Sequence, residues 1–196
     1  MLPVAAFRPK IISMRSAFML LACTLLGATA CIVEAPSGEK HAESQRAVAP
    51  KAPPLSVTSG AILGGKVEIV GATIQPGQIL PGDPVKVSVV LNVLDRLDKD
   101  YMVFVHVEDA DGRMDRMNVD HRPIGGTYPT TLWKKGETLK DDFQIYLPPG
   151  SRSRGLLVWI GFWDPVSDTR IPLKNPETVR NDGRDRILLA RIPVGE

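Results

Sequence analysis

The chain has 196 residues, enough for one globular domain and a short extension. Hydrophobic residues make up 43% and charged residues 23%, ordinary proportions for a folded domain. The formal charge is +2, but Arg8, Lys10 and Arg15 fall in an N-terminal segment without acids, and removing those three leaves −1 for residues 31–196. A near-neutral domain lacks the basic surface that phosphate-backbone binding requires, so nucleic acid is not an expected partner.

The first element is an export signal over residues 1–30. Arg8, Lys10 and Arg15 supply its positive start, and "SAFMLLACTLLGATA" is an apolar run too short to span a bilayer comfortably. Small residues precede Cys31 in "ATAC", and the chain turns polar soon after it. This junction resembles the lipobox of bacterial lipoproteins, which implies cleavage before Cys31 and acylation of its thiol. Ala28 stands where that motif usually has leucine, and Cys23, in "LLAC", is the competing position. Met14 could equally begin a compact signal of the same kind. Ile32 after the cysteine, in place of aspartate, implies by the same resemblance an outer-membrane destination.

Residues 31–58 read as a lipidated tether. "IVEAPSGEKHAESQRAVAPKAPPLSVT" has neither a helical nor a strand period, and its composition cannot bury enough apolar area to offset ordering entropy. The expected membrane association is through the lipid anchor.

From residue 59 to residue 196 the pattern changes to a period of two. "VKVSVVLNV" puts Val85, Val87, Val89, Leu91 and Val93 on one face. "YMVFVHV" is apolar on both faces, the mark of a central strand, with Met102, Phe104 and His106 opposite Tyr101, Val103, Val105 and Val107. An Asp-Gly turn follows in "DADG". "DFQIYLPPG" alternates through Phe143, Ile145 and Leu147, "LLVWIGFW" is another buried strand, and "TRIPL" and "ILLARIPV" are shorter ones. No window carries a sustained helical period. The expected fold is all-β, an antiparallel immunoglobulin-like β-sandwich of about 7–8 strands.

"PGDPVKVSVVLNV", "DYMVFVHVEDADGR", "DHRPIGGTYPTTLWKKGE", "DFQIYLPPG", "GFWDPVSDTRIPL" and "GRDRILLARIPV" together resemble a recurring bacterial domain. It is the soluble C-terminal β-sandwich of membrane glycosyltransferases of the dolichyl-phosphate-mannose type. The resemblance covers residues 66–194 and is most specific at Asp120, Pro123, Gly125, Gly126, Pro129, Thr130, Trp133, Gly136 and Glu137. It implies a β-sandwich and brings no catalytic residue with it.

The domain holds no cysteine, since Cys23 and Cys31 both lie N-terminal to it, so a disulfide, a thiol nucleophile and a cysteine-bound metal are all excluded there. Glu108, Asp109, Asp111 and Asp115 begin like a calcium loop but lack its closing glutamate, and read as a polar hairpin tip. His106 or His121 beside Asp120 or a serine would suit nucleophilic catalysis, but no G-x-S-x-G elbow accompanies them. A carboxylate pair for glycoside hydrolysis cannot be picked out from spacing. No cofactor, no metal and no catalytic residue is expected.

The aromatic residues carry more. Trp159, Gly161 and Trp163 share one strand face, and a glycine between two indoles leaves room for a sugar ring. Trp159 is assigned to the core, where large aromatics dominate sandwiches, and Trp163, beside Asp164, is open to either assignment. Tyr128, Trp133 and Trp163 are the candidate ligand platform. The stretch "DHRPIGGTYPTTLWKKGE" reads as a crossover, with the two glycines setting backbone conformation, the prolines fixing φ, and Trp133 plugging the loop onto the sandwich. The expected role is non-catalytic binding or envelope structure, with a glycan or an envelope protein as partner. The alternatives are a carbohydrate-recognition accessory in envelope polysaccharide or glycoprotein assembly and, more weakly, a hydrolase.

Overall fold

The computed structural model describes residues 54–195. The signal, the Cys31 junction and most of the tether lie outside those residues. Nine strands follow in order: β1 (Val57–Leu63), β2 (Val67–Gln75), β3 (Pro84–Val93), β4 (Met102–Asp109), β5 (Met117–Asn118), β6 (Thr138–Tyr146), β7 (Gly155–Asp164), β8 (Thr169–Arg170) and β9 (Ile187–Pro193). Seven are full strands and two, β5 and β8, are two-residue pairings. The fold is an antiparallel β-sandwich. β1 begins at Val57, so the sheet takes in two residues that the sequence reading places in the tether.

One sheet has the order β1-β2-β3-β6. In the other, β5, β4 and β7 lie side by side, and β8 and β9 both pair with β7 at different heights. Every ladder between these strands is antiparallel. The chain crosses between sheets after β3 and returns after β5 through residues 119–137. Asp120–Glu137 is that return path.

The core follows the period-two pattern. β3 sends Val85, Val87, Val89, Leu91 and Val93 inward, and β6 sends Leu139, Phe143 and Ile145. From the facing sheet come Val103, Val105, Val107, Leu156, Val158, Ile160 and Phe162. The inner face of β7 is therefore its leucine, valine, isoleucine and phenylalanine positions, and its tryptophans point the other way. One inward position of β6 breaks the apolar row. Asp141 is 1% exposed between Leu139 and Phe143.

β1 closes the first sheet tightly against β2. A Cβ at Gly71 would run into the Val57 carbonyl, so only glycine permits this approach. The outer edge of β1 is partly covered by the segment before β9. Asn175 accepts from Ile62 N and donates from Nδ2 to Gly60 O, both at 2.9 Å, so its amide stands in for a neighbouring strand. Lys174 N donates to Ile62 O and Gly64 N to Pro172 O, each at 2.8 Å.

Candidate functional site

The outer face of the second sheet is unusual for a sandwich because it carries aromatic side chains under a cover of its own. Register sets the arrangement: Met102 pairs with Trp163, Phe104 with Gly161, and His106 with Trp159. Alternation puts all six on the face away from the core. Phe104 and His106 are nonetheless only 3% and 7% exposed. Phe104 fills the space above Gly161, where a Cβ would strike the ring and come within 3.0 Å of the Asp185 carbonyl. Glycine is required at this position for the aromatic packing. The gap between the two indoles, read from the sequence as an open platform, is occupied by Phe104.

Two arginines lie over this layer. Arg186 is 4.9 Å from the Trp159 ring centre, with Nη1 on Glu108 and Nε on Asp182, both at 2.6 Å. Trp159 is thus outward-facing and half-buried, a correction to its assignment to the core, because the alternation of β7 gives the core to its neighbours. Arg170 is 4.9 Å from the Phe104 ring centre and donates from Nη1 to the Arg184 carbonyl at 2.7 Å.

Between these parts lies an open groove of ≈ 540 Å³. Phe104, His106 and Trp163 form its floor, with Arg170, Asp120, Asp168 and Asp185 around it. The Nδ1 of His106 and the Nε1 of Trp163 are buried with no hydrogen-bond partner among the described residues. Burial, followed by the nearby Arg116 charge, pushes the His106 pKa below its ordinary value, so its ring is neutral near pH 7. Asp120 uses Oδ1 to accept from Val105 N at 2.9 Å, and Asp185 uses Oδ1 to accept from Leu173 N at 2.8 Å. The groove therefore offers an indole, an imidazole, a guanidinium and carboxylates within one concave surface. Hydroxyls both donate and accept, and such a mixture suits a polyhydroxyl ligand.

Of the three residues in the candidate platform, the structure brings only Trp163 to this groove. Trp133 is 2% exposed and packs edge-on against Phe162 in the core, with ring centres 6.0 Å apart. Its Nε1 donates to the Tyr128 carbonyl at 3.0 Å. The residue plugs the crossover, as the loop reading holds, and offers no face to a ligand, which removes it from the platform. Tyr128 is half-buried and donates its hydroxyl to Leu132 O at 2.8 Å, with the Glu137 carboxylate at 3.1 Å. Burial, together with Glu137, pushes the phenol up to about 12. Tyr128 is a brace for the crossover and does not line the groove.

The acidic stretch and His121 have structural partners. Asp109 accepts from the Arg113 and Asp111 amides and from the Ser153 hydroxyl, which makes the acidic stretch a closed hairpin tip. His121 pairs with Asp141, not with Asp120, and neither histidine hydrogen-bonds a serine among the described residues. No group of three or more His, Cys, Asp or Glu among the described residues is arranged to hold a metal ion. Sequence reasoning missed Phe104, Arg170 and Asp185 as parts of a site. The outward triplet Met102, Phe104 and His106 was a visible signal for the first, since a strand apolar on both faces must be covered on both.

No family model matches the chain, and no curated protein does. Among solved structures it is similar to the C-terminal domain of Wzt, at 14% identity and a TM-score of 0.45, covering 76% of this chain and 81% of that one. A second similarity is to the Pseudomonas fluorescens alkylpurine DNA glycosylase AlkC bound to DNA containing an abasic site analog. It has 9% identity and a TM-score of 0.37, and covers 67% of this chain and 31% of that one.

Proposed function

We propose that this protein is a non-catalytic carbohydrate-recognition module of the cell envelope, held to a membrane by a lipid on Cys31. The observation that carries the reading is the groove over Phe104 and Trp163, where two buried nitrogens await partners beside a guanidinium and three carboxylates. Buried polar groups in folded proteins are nearly always paired, so unpaired ones lining a concave surface mark a place for a ligand. An indole beside mixed donors and acceptors suits the face and hydroxyls of a sugar ring. A non-catalytic role agrees with the engagement of His121 and Asp120 in structural contacts. The lipid anchor rests on the Cys31 junction alone.

The test is a glycan array probed with the full chain, followed by calorimetric titration of the best ligands. Binding that is lost in Trp163→Ala while the melting temperature holds supports the reading. Glycan binding indifferent to Trp163, or none across the array, removes it.

A further inference from the structure

The groove is chemically uneven, and its unevenness points to the kind of sugar it takes. Arg170 and Trp163 are direct partners across the β7–β8 ladder. Phe104 lies beneath Arg170 at 4.9 Å, and the His106 ring centre is 5.1 Å from that of Phe104. Guanidinium, indole, phenyl and imidazole thus form one continuous strip across three strands.

Arg170 is fixed within that strip by its stack on Phe104 and by the Arg184 carbonyl. It nevertheless makes no ion pair among the described residues, although Asp120, Asp168 and Asp185 line the same groove. A guanidinium held in place with most of its N–H groups unused presents the planar fork that fits a carboxylate. Beside it the Trp163 indole N–H is a buried donor without an acceptor. The third unpaired group is on His106, itself 7% exposed. The guanidinium and the indole N–H meet acceptors on a ligand, while the neutral His106 ring meets a hydroxyl, which can donate or accept.

Resting on the carbohydrate reading above, we infer that the bound sugar is of the uronic acid class, with its carboxylate on Arg170 and the Trp163 N–H. Its ring hydroxyls face the carboxylates of Asp120 and Asp185, each of which keeps one oxygen free of the backbone hydrogen bond that the other makes. The same inventory limits the charge the ligand carries. Arg170 and Arg184 stand against three aspartates, so a densely charged polyanion is repelled and one carboxylate on an otherwise neutral ring is accommodated.

The experiment uses the full chain with four probes that carry one carboxylate at most: the methyl glycosides of galacturonic acid and of glucuronic acid, and the methyl ester of each. Ester and acid share one shape and differ in charge, so their affinity ratio isolates the carboxylate. At least one acid is expected to bind tenfold or more tighter than its ester. Arg170→Gln should collapse that ratio toward one. Trp163→Phe keeps an aromatic ring and removes the donor, and should reduce the ratio even if Arg170→Gln fails to fold. Equal binding of acid and ester overturns the inference and leaves the carbohydrate reading intact. Failure of all four probes alongside binding of a neutral glycan does the same. Failure of every glycan tested overturns both.

Discussion

His121 joins the two sheets by donating from Nε2 to Asp141 Oδ2 at 2.8 Å. His121 bridges to Val103 of β4, while Asp141 lies on β6 in the opposite sheet. The other ring nitrogen, Nδ1, lies 2.8 Å from the Val119 carbonyl, which can only accept. With both partners accepting, the two nitrogens can donate together only when the ring is protonated. Asp141 completes its shell by accepting from Ile124 N at 2.8 Å, which also holds Ile124 at φ 55, a conformation costly for a β-branched residue.

This pair makes stability depend on pH. Burial lowers the His121 pKa, but the hydrogen bond and charge of Asp141, the Val119 carbonyl and the nearby Asp120 outweigh it and leave the value above 6.5. A pKa raised on folding stabilises fully below the unfolded-state value, near 6.5, and the contribution is lost as pH rises through the folded value. Thermal melting across pH 5.5 to 9 should show this loss, and His121→Gln should flatten that part of the profile. Asp141→Asn leaves a buried cation short of its counter-charge and should cost about 3–5 kcal/mol in urea unfolding.

Trp163 and Trp159 share a face but should respond differently to truncation. Trp163→Ala should change stability by about 1 kcal/mol or less, as at a partly exposed site, while reducing glycan affinity at least tenfold. Trp159→Ala removes the surface on which Arg186 stacks and should cost about 1–2 kcal/mol with smaller effects on binding. Chemical denaturation and calorimetry on both variants separate these outcomes.

Gly161→Ala tests the aromatic layer. The added methyl group meets the Phe104 ring and comes within 3.0 Å of the Asp185 backbone carbonyl, so the ring must shift to admit it. Overpacking of this sort should cost about 1–3 kcal/mol, and displacement of Phe104 should weaken ligand binding beyond the stability loss. A neutral substitution would show that Phe104 rotates freely out of the way.

Trp133→Ala should cost about 3–5 kcal/mol, because it empties a core site against Phe162 and removes the donor to Tyr128 O. Near-wild-type stability would show that the crossover is held without its plug.

Cys31→Ser should abolish acyl labelling and release the protein from the membrane fraction, since stable anchoring takes two chains. Labelling that survives in Cys31→Ser and disappears in Cys23→Ser would move the cleavage site.

The strands were legible because alternation is a local property of the chain. Val85 to Val93 and Leu156 to Phe162 announce their inner faces without any knowledge of partners. The same alternation misleads where both faces are apolar. In "LLVWIGFW" size favoured Trp159 for the core, but parity assigns it to the outside, and the inner face is settled by Leu156 and Phe162. The groove was less legible still, since Asp185 comes to it on a return segment with little periodicity and Arg170 on a strand of only two residues. Asp141 was a readable anomaly, an acid at an inward position of a regular strand, but its partner His121 is identified only by the crossover's path.

The amide of Asn175 clasping Gly60 and Ile62 has a consequence for solubility. An uncovered edge strand is a template for pairing with another chain, and β1 would otherwise expose one at Gly60 and Ile62. Lipid anchoring crowds molecules into two dimensions, where edge-to-edge association is favoured. Asn175, together with the backbone of Pro172 and Lys174, imitates the missing strand and so works against aggregation at the high local concentrations a membrane surface creates. Replacing Asn175 with alanine would free Ile62 N and Gly60 O on that edge for neighbouring copies while leaving the packed interior as it is.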